Sequence, residues 1–246
     1  MIKGIHTTES SMRPKLARME VLANNLANIN STGFKKDKLF VQVLNESAIT
    51  AGKDGDFDDV NTRKYVDFSD GSLAETGNPL DLAMQGPGFF VVDTPVGPRF
   101  TRAGSFRFDA DGKLVTSGNL PVQGATGYIR LPQAIQEVQG EIRVLETGEM
   151  MLGKDLIGQL SIVNFARPSD LVKDGASFFR TAPGQLPIEV ADGTAAVRQG
   201  FLEESNVDGI EEMMEMIELN RGFETDQKAL QSLESSVERA LDIGRV

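Results

Sequence analysis

Apolar side chains at Ile5, Met12, Met19 and Leu26 recur every seven residues at the start of the chain, with Leu16, Leu22, Ala23 and Ile29 between them. That spacing predicts an amphipathic helix with an apolar stripe along one face rather than a buried cylinder. Thr7 to Ser11 supply N-caps, and Pro14 suits a first turn better than a helix interior. The helix therefore either kinks at Pro14 or begins near Ser11, and it ends near Asn28. Asn24, Asn25, Asn28 and Asn30 crowd that end, where their amides compete for backbone hydrogen bonds. Gly33 stands where the chain wants a residue of positive φ. The asparagines either cap their own helix or bridge to a neighbouring chain. An apolar face with no local partner is the result.

Phe34 to Ala51 holds Leu39, Phe40, Val41, Val43 and Leu44 without a clean period, the pattern of a strand or an extended arm. The basic cluster Lys35, Lys36 and Lys38 reads as a solvated turn. From 51 to 64 the chain is acidic and poor in apolar residues, a loop in expectation. Asp54, Asp56, Asp58 and Asp59 lack the ligand order and closing Glu of an EF-hand, so no calcium site is expected there.

From Tyr65 the period changes to two. Leu80, Leu82 and Met84 alternate with Asp81 and Ala83, and Phe89 to Val92 form the short apolar run of a buried strand. The segment 109–112, Asp-Ala-Asp-Gly, is hairpin chemistry because Asp and Gly tolerate positive φ. Short strands broken by Gly, Pro, Asn and Asp at roughly 8–12-residue intervals predict a mostly antiparallel sandwich or small barrel.

The last segment supplies a second helix. Asp208 is an N-cap with Glu211 three residues on, and Glu211, Glu212 and Glu215 place negative charge at the positive helix end. No Pro interrupts the pattern to Leu241. Met213, Ile217, Leu230, Leu233, Val237 and Leu241 form a stripe, which Met216 and Phe223 widen. The fold class expected is α+β: the two terminal helices closed into a coiled coil, with an antiparallel β domain between them. In residues, 1–30 plus 200–246 form the helical coiled-coil domain, 31–75 an extended arm or linker, and 76–199 the β-rich domain.

Composition narrows the chemistry. The 246 residues are 40% apolar and carry a net charge of −11, from 36 acidic and 25 basic side chains. Such acidity argues against nucleic acid, whose phosphates need a basic face. Cysteine is absent and His6 is the single histidine, which removes thiolate and His-rich metal chemistry. No cofactor or metal is expected. A hydrolase using Asp81, Asp109 or Asp111 finds no supporting motif, and the hairpin turn explains two of those carboxylates. An adaptor docking through the Met213, Met214 and Met216 cluster is a further reading. The N-terminus lacks the apolar core of a secretory signal.

The motifs at both ends carry a resemblance. ANNLANINSTGFKK at 23–36, QGFLEESNV at 199–207 and EEMMEMIELNRGFE at 211–224 resemble the signatures of the bacterial flagellar rod and hook axial proteins. TGNPLDLAMQGPGFFVV at 76–92 and FTRAGSFRFDADGKLVT at 100–116 resemble the β domain of its rod-type members. The likeness spans nearly the whole chain and is closer to a proximal than a distal rod protein, with a distal rod or hook-type axial protein as the alternative. It implies a structural subunit of the basal-body rod, polymerised through its terminal helices into a shaft that transmits torque. The implied partners are copies of itself, other rod proteins and the flagellar type III export apparatus. The implied location is the rod crossing the periplasm, reached without a cleaved signal. The residues expected to pack subunits are Met12, Met19, Leu26, Ile217, Leu230 and Val237 of the stripes and Asn24, Asn25, Asn28 and Gly33 of the turn.

Overall fold

The computed structural model describes residues 2–43, 60–131, 141–181, 184, 187–189 and 195–243. The chain folds into two units, one of residues 1–27, 37–65 and 208–246, the other of 28–36 and 66–207.

The first unit holds α1 (Ile2–Ala27) and α2 (Gly209–Ile243), which pack along one another, and a two-stranded ribbon of β1 (Asp37–Val43) and β2 (Val60–Val66). Pro14 lies inside α1. Asp208 caps α2, its Oδ1 accepting from the backbone N–H groups of Ile210 at 2.9 Å and Glu211 at 3.2 Å, which satisfies donors a helix start leaves open.

The helix pair is not the coiled coil expected. A coiled-coil seam needs apolar residues at successive contact positions, and here polar groups occupy the contact. Lys15 Nζ donates to Asp226 Oδ2 at 2.6 Å, Arg18 pairs with Glu215, and Asn25 Nδ2 donates to Glu212 Oε2 at 2.9 Å. Met213 and Ile217 of the expected stripe point instead to solvent. The half-buried line on α2 runs through Met216, Leu219, Phe223, Leu230 and Leu233.

The second unit is antiparallel throughout its described pairings, yet it is neither the sandwich nor the barrel expected. Its largest sheet has six strands in the order Val172–Lys173, Phe178–Arg180, Gly97–Thr101, Phe89–Thr94, Ile162–Asn164, Ile188–Glu189. Around it lie separate ribbons of two or three strands. Ala196–Gln199 pairs with Leu82–Gln85, Phe201–Glu203 with Leu73–Glu75, and Phe106–Phe108 with Leu114–Thr116. Isolated bridges such as Val92 to Val122 and Gly124 to Leu160, rather than continuous ladders, join these pieces among the described residues. The hairpin at 109–112 is as its residues predict: Gly112 adopts φ +73° and its N–H donates to the Asp109 carbonyl at 3.0 Å.

The run Phe89 to Val92 explains how the small elements cohere. Phe90 belongs to a cluster with Leu82, Met84, Phe106 and Leu114, whereas Phe89 and Val91 join Phe100, Phe165 and Phe179 on the other side. Successive side chains of a strand point to opposite faces, so this strand is buried on both. Edge-to-face rings at 5.2 Å (Phe90–Phe106) and 4.8 Å (Phe100–Phe165) fix the packing of each cluster.

Candidate functional site

Two constellations stand out, one in each unit. In the second unit, the turn Asn28 to Lys36 is held by a buried ionic cluster. The Asn28 carbonyl accepts from the Ser31 N–H at 3.1 Å and its Oδ1 from Ser31 Oγ at 3.1 Å, so this amide closes its own turn. Gly33, at φ +65°, donates its N–H to the Glu203 carbonyl at 2.8 Å. A Cβ there would lie 2.3 Å from the Ala103 nitrogen, closer than any side chain tolerates. The chain approaches another backbone so closely that only glycine fits.

Phe34 and Lys35 follow, both 0% exposed. Lys35 Nζ donates to Glu203 Oε1 at 2.6 Å and to the Ser69 carbonyl at 2.6 Å. Glu203 also accepts from the Gly71 N–H at 3.1 Å, and Arg102 Nη1 lies 3.4 Å from its Oε2 and 3.5 Å from Asp70. Burial pushes the Lys35 ammonium below its ordinary pKa; the Glu203 carboxylate acts in the opposite sense and does not cancel it. Asn206 completes the clasp, accepting from the Lys36 N–H at 2.7 Å and donating to the Asp67 carbonyl at 2.9 Å. The solvated basic turn expected at 35–38 is thus wrong at Lys35. Its charge is compensated by a glutamate 168 residues away, a pairing that no local pattern announces.

In the first unit, Asn25 is 0% exposed. Its Oδ1 accepts from the Asp37 N–H at 2.9 Å and its Nδ2 donates to the Asp37 carbonyl at 2.9 Å and to Glu212. One amide thereby anchors the start of β1 to α1 as a neighbouring strand would. Asn24 is exposed; Met12, Met19, Leu26 and Leu230 are half-buried. The side chain of Val237 lies outside the described residues, as does the stretch Asp54 to Asp59. The two stripe positions that point outward join others: Ile210, Met213, Met214 and Ile217 are 69%, 47%, 58% and 53% exposed. Residues three and four apart share a helix face, so these four form one apolar strip on the outside of α2.

A catalytic reading finds no site among the described residues. Asp109 Oδ1 accepts from the Lys113 N–H at 2.7 Å, within the hairpin, and Asp81 is buried where its strand begins. No group of three or more His, Asp or Glu side chains among the described residues is placed to hold a metal ion.

Residues 5–35 match the family described as flagella basal body rod protein, 83–151 the flagellar hook protein FlgE/F/G D1 domain, and 198–243 the flagellar basal body rod FlgEFG protein C-terminal. The first match ends at the Gly33–Lys35 clasp and the third begins beside Glu203. The flagellar basal-body rod protein FlgG of Bacillus subtilis is 30% identical over the full length of both chains. FlgF of Caulobacter vibrioides is 34% identical, covering 90% of this chain and 91% of its own, and FlgF of Mesorhizobium japonicum 31% over 91% and 90%. These relatives are structural proteins, which sets aside the hydrolase reading of Asp81, Asp109 and Asp111. With terminal signatures, β domain and full-length similarity in agreement, the chain belongs to the flagellar basal-body rod protein family.

Proposed function

We propose that this structural rod protein polymerises through its terminal helices, with copies of itself and with other rod proteins, into the axial shaft that carries motor torque to hook and filament. Similarity over the entire length to a basal-body rod protein carries the reading. The apolar strip on α2 supports it, because an exposed patch of this kind marks a surface built to be covered. Met12, Met19, Leu26, Ile217 and Leu230 contribute to the contacts between subunits. Asn24 is exposed, while Asn25, Asn28 and Gly33 set the path by which the chain leaves α1. The residues between the helix and the β-rich part act as an arm. Delivery is by the flagellar type III export apparatus to the rod within the periplasm.

The experiment is complementation of a strain lacking the gene. Basal bodies are isolated, probed for the chain with an antibody, and viewed by electron microscopy for the level at which the rod stops. A truncated rod restored by the chain, with the chain in the purified basal body, is the expected result. Full-length rods and motility in the deletion strain would overturn the proposal.

A further inference from the structure

The antiparallel strands Phe89–Thr94 and Gly97–Thr101 form one hairpin of the second unit, and its two ends differ in shape. At the tip, Pro95 and Val96 make the connection and Pro98 follows; all three are exposed, Val96 by 77%. The tip is stiff. Pro95 and Pro98 fix φ on either side of Val96, and Thr94 Oγ1 donates to the Gly97 carbonyl at 2.6 Å across the turn. A side chain presented in this way has little conformational freedom to lose when it is covered. At the opposite end of the hairpin, Phe89 and Arg102 line a pocket of about 310 Å³ together with Phe68, Pro87 and Pro168. Its walls are mainly rings, yet Arg102 brings a buried cation with donors to spare. The Nη1 bonds to Glu203 and Asp70 are long, at 3.4 Å and 3.5 Å, and Nε is buried without a hydrogen-bond partner.

We infer that the Pro95–Val96 tip of one copy seats in the pocket of the next copy, between Phe68, Phe89 and Pro168. This inference rests on the rod-subunit reading and adds to it a contact made by the β-rich unit. The six strand residues Phe89–Thr94, at about 3.3 Å each, set the tip roughly 20 Å from the pocket, so a tip cannot enter its own. The chain carries both halves of the contact, which makes a second copy the occupant. The pocket is at the small end of the range for binding sites and suits a turn of one or two small apolar residues better than a whole helix or strand. Hydrogen-bonding groups match as well. Prolines at 95 and 98 remove two N–H donors from the tip and leave its carbonyls as acceptors, and Arg102, stacked 5.3 Å from the Phe89 ring centroid, supplies the donor an entering carbonyl needs. Knob and hole are different surfaces, so the interface is heterologous and repeats from copy to copy unless its rotation closes.

The chain has no native cysteine, so introduced thiols report the contact directly. Val96→Cys at the tip, Pro168→Cys at the pocket, the double variant and the two single variants together are expressed in the deletion strain. Isolated basal bodies are oxidised and run on non-reducing gels. The double variant is expected to give dimers, trimers and larger species, the co-expressed singles dimers only, and each single variant alone monomer. Dimers from Val96→Cys alone would mean tip meeting tip and overturn the inference. So would a double variant found in basal bodies at normal level that yields only monomer. Val96→Lys brings a second cation to Arg102 and is expected to lower incorporation about tenfold. The urea midpoint of the purified variant should match that of the parent, because the side chain is exposed there. Normal incorporation of Val96→Lys would overturn the contact whatever the cysteine variants show. Loss of Val96→Lys together with monomer alone from the double variant would mean that a different protein covers the tip, which also overturns it. Absence of the unaltered chain from basal bodies would instead sink the rod-subunit reading, which keeps the two failures apart.

Discussion

Replacing Lys35 by methionine tests the ionic clasp most directly. The ammonium is completely buried and donates to Glu203 and to the Ser69 carbonyl, both at 2.6 Å. Methionine fills much the same volume but leaves the Glu203 carboxylate, itself 0% exposed at its side chain, with Arg102 at 3.4 Å and the Gly71 N–H at 3.1 Å. Breaking a buried pair by removing one partner costs about 3–5 kcal/mol, mostly from the charge left behind. For a unit of this size each kcal/mol lowers the melting temperature by about 2–4 °C, so a fall of roughly 6–20 °C is expected. Neutralising the survivor should relieve the penalty. Lys35→Met with Glu203→Gln should be less destabilised than the two single changes together, with a coupling of about 2–3 kcal/mol. The chain has no Trp and two Tyr, Tyr65 and Tyr128. In a Tyr65→Phe background, Tyr128 in the second unit therefore reports urea unfolding without a competing signal. A Lys35→Met cost below about 1 kcal/mol, or single costs that simply add, would refute the clasp as the element that holds the turn.

Gly33→Ala combines positive φ with a Cβ 2.3 Å from the Ala103 nitrogen, so its cost should exceed the ~1–3 kcal/mol of backbone strain alone; a urea midpoint near that of the parent would contradict this. Within the helix pair, Asn25→Ala removes three hydrogen bonds from a buried amide and should cost more than ~1–3 kcal/mol. Lys15→Ala, which breaks a part-exposed pair with Asp226, should cost below ~1 kcal/mol. Thermal melts followed by helical circular dichroism rank the two, and an inverted order would count against the assignment. Burial, opposed by Glu203, lowers the Lys35 pKa from 10.5. Between that lowered value and 10.5, the unfolded chain holds the proton and the folded chain does not, so Lys35 adds stability as pH rises through the window. The stability gap between the parent and Lys35→Met should accordingly widen towards pH 10.5 in urea titrations, and a gap that narrows would mean a raised folded pKa.

The amino-acid sequence determined the elements whose cause is local. Seven-residue spacing made α1, the Asp208 cap made the start of α2, and the Asp-Gly chemistry of 109–112 made its hairpin. The terminal motifs were also enough to place the chain in its family. Tertiary structure decided which helix face is used, because both sides of α2 carry apolar residues and periodicity ranks neither. Partner geometry turned Met216 and Phe223 to the half-buried side and left Ile217 outside. It also replaced the expected coiled coil with polar contacts through Asn25, Glu212, Lys15 and Asp226, whose pairing depends on two helices far apart in the chain. Lys35 shows the same limit most sharply. A lysine beside other lysines is normally solvated, and only the arrival of Glu203 from a distant strand, with the Ser69 carbonyl, makes its burial tolerable.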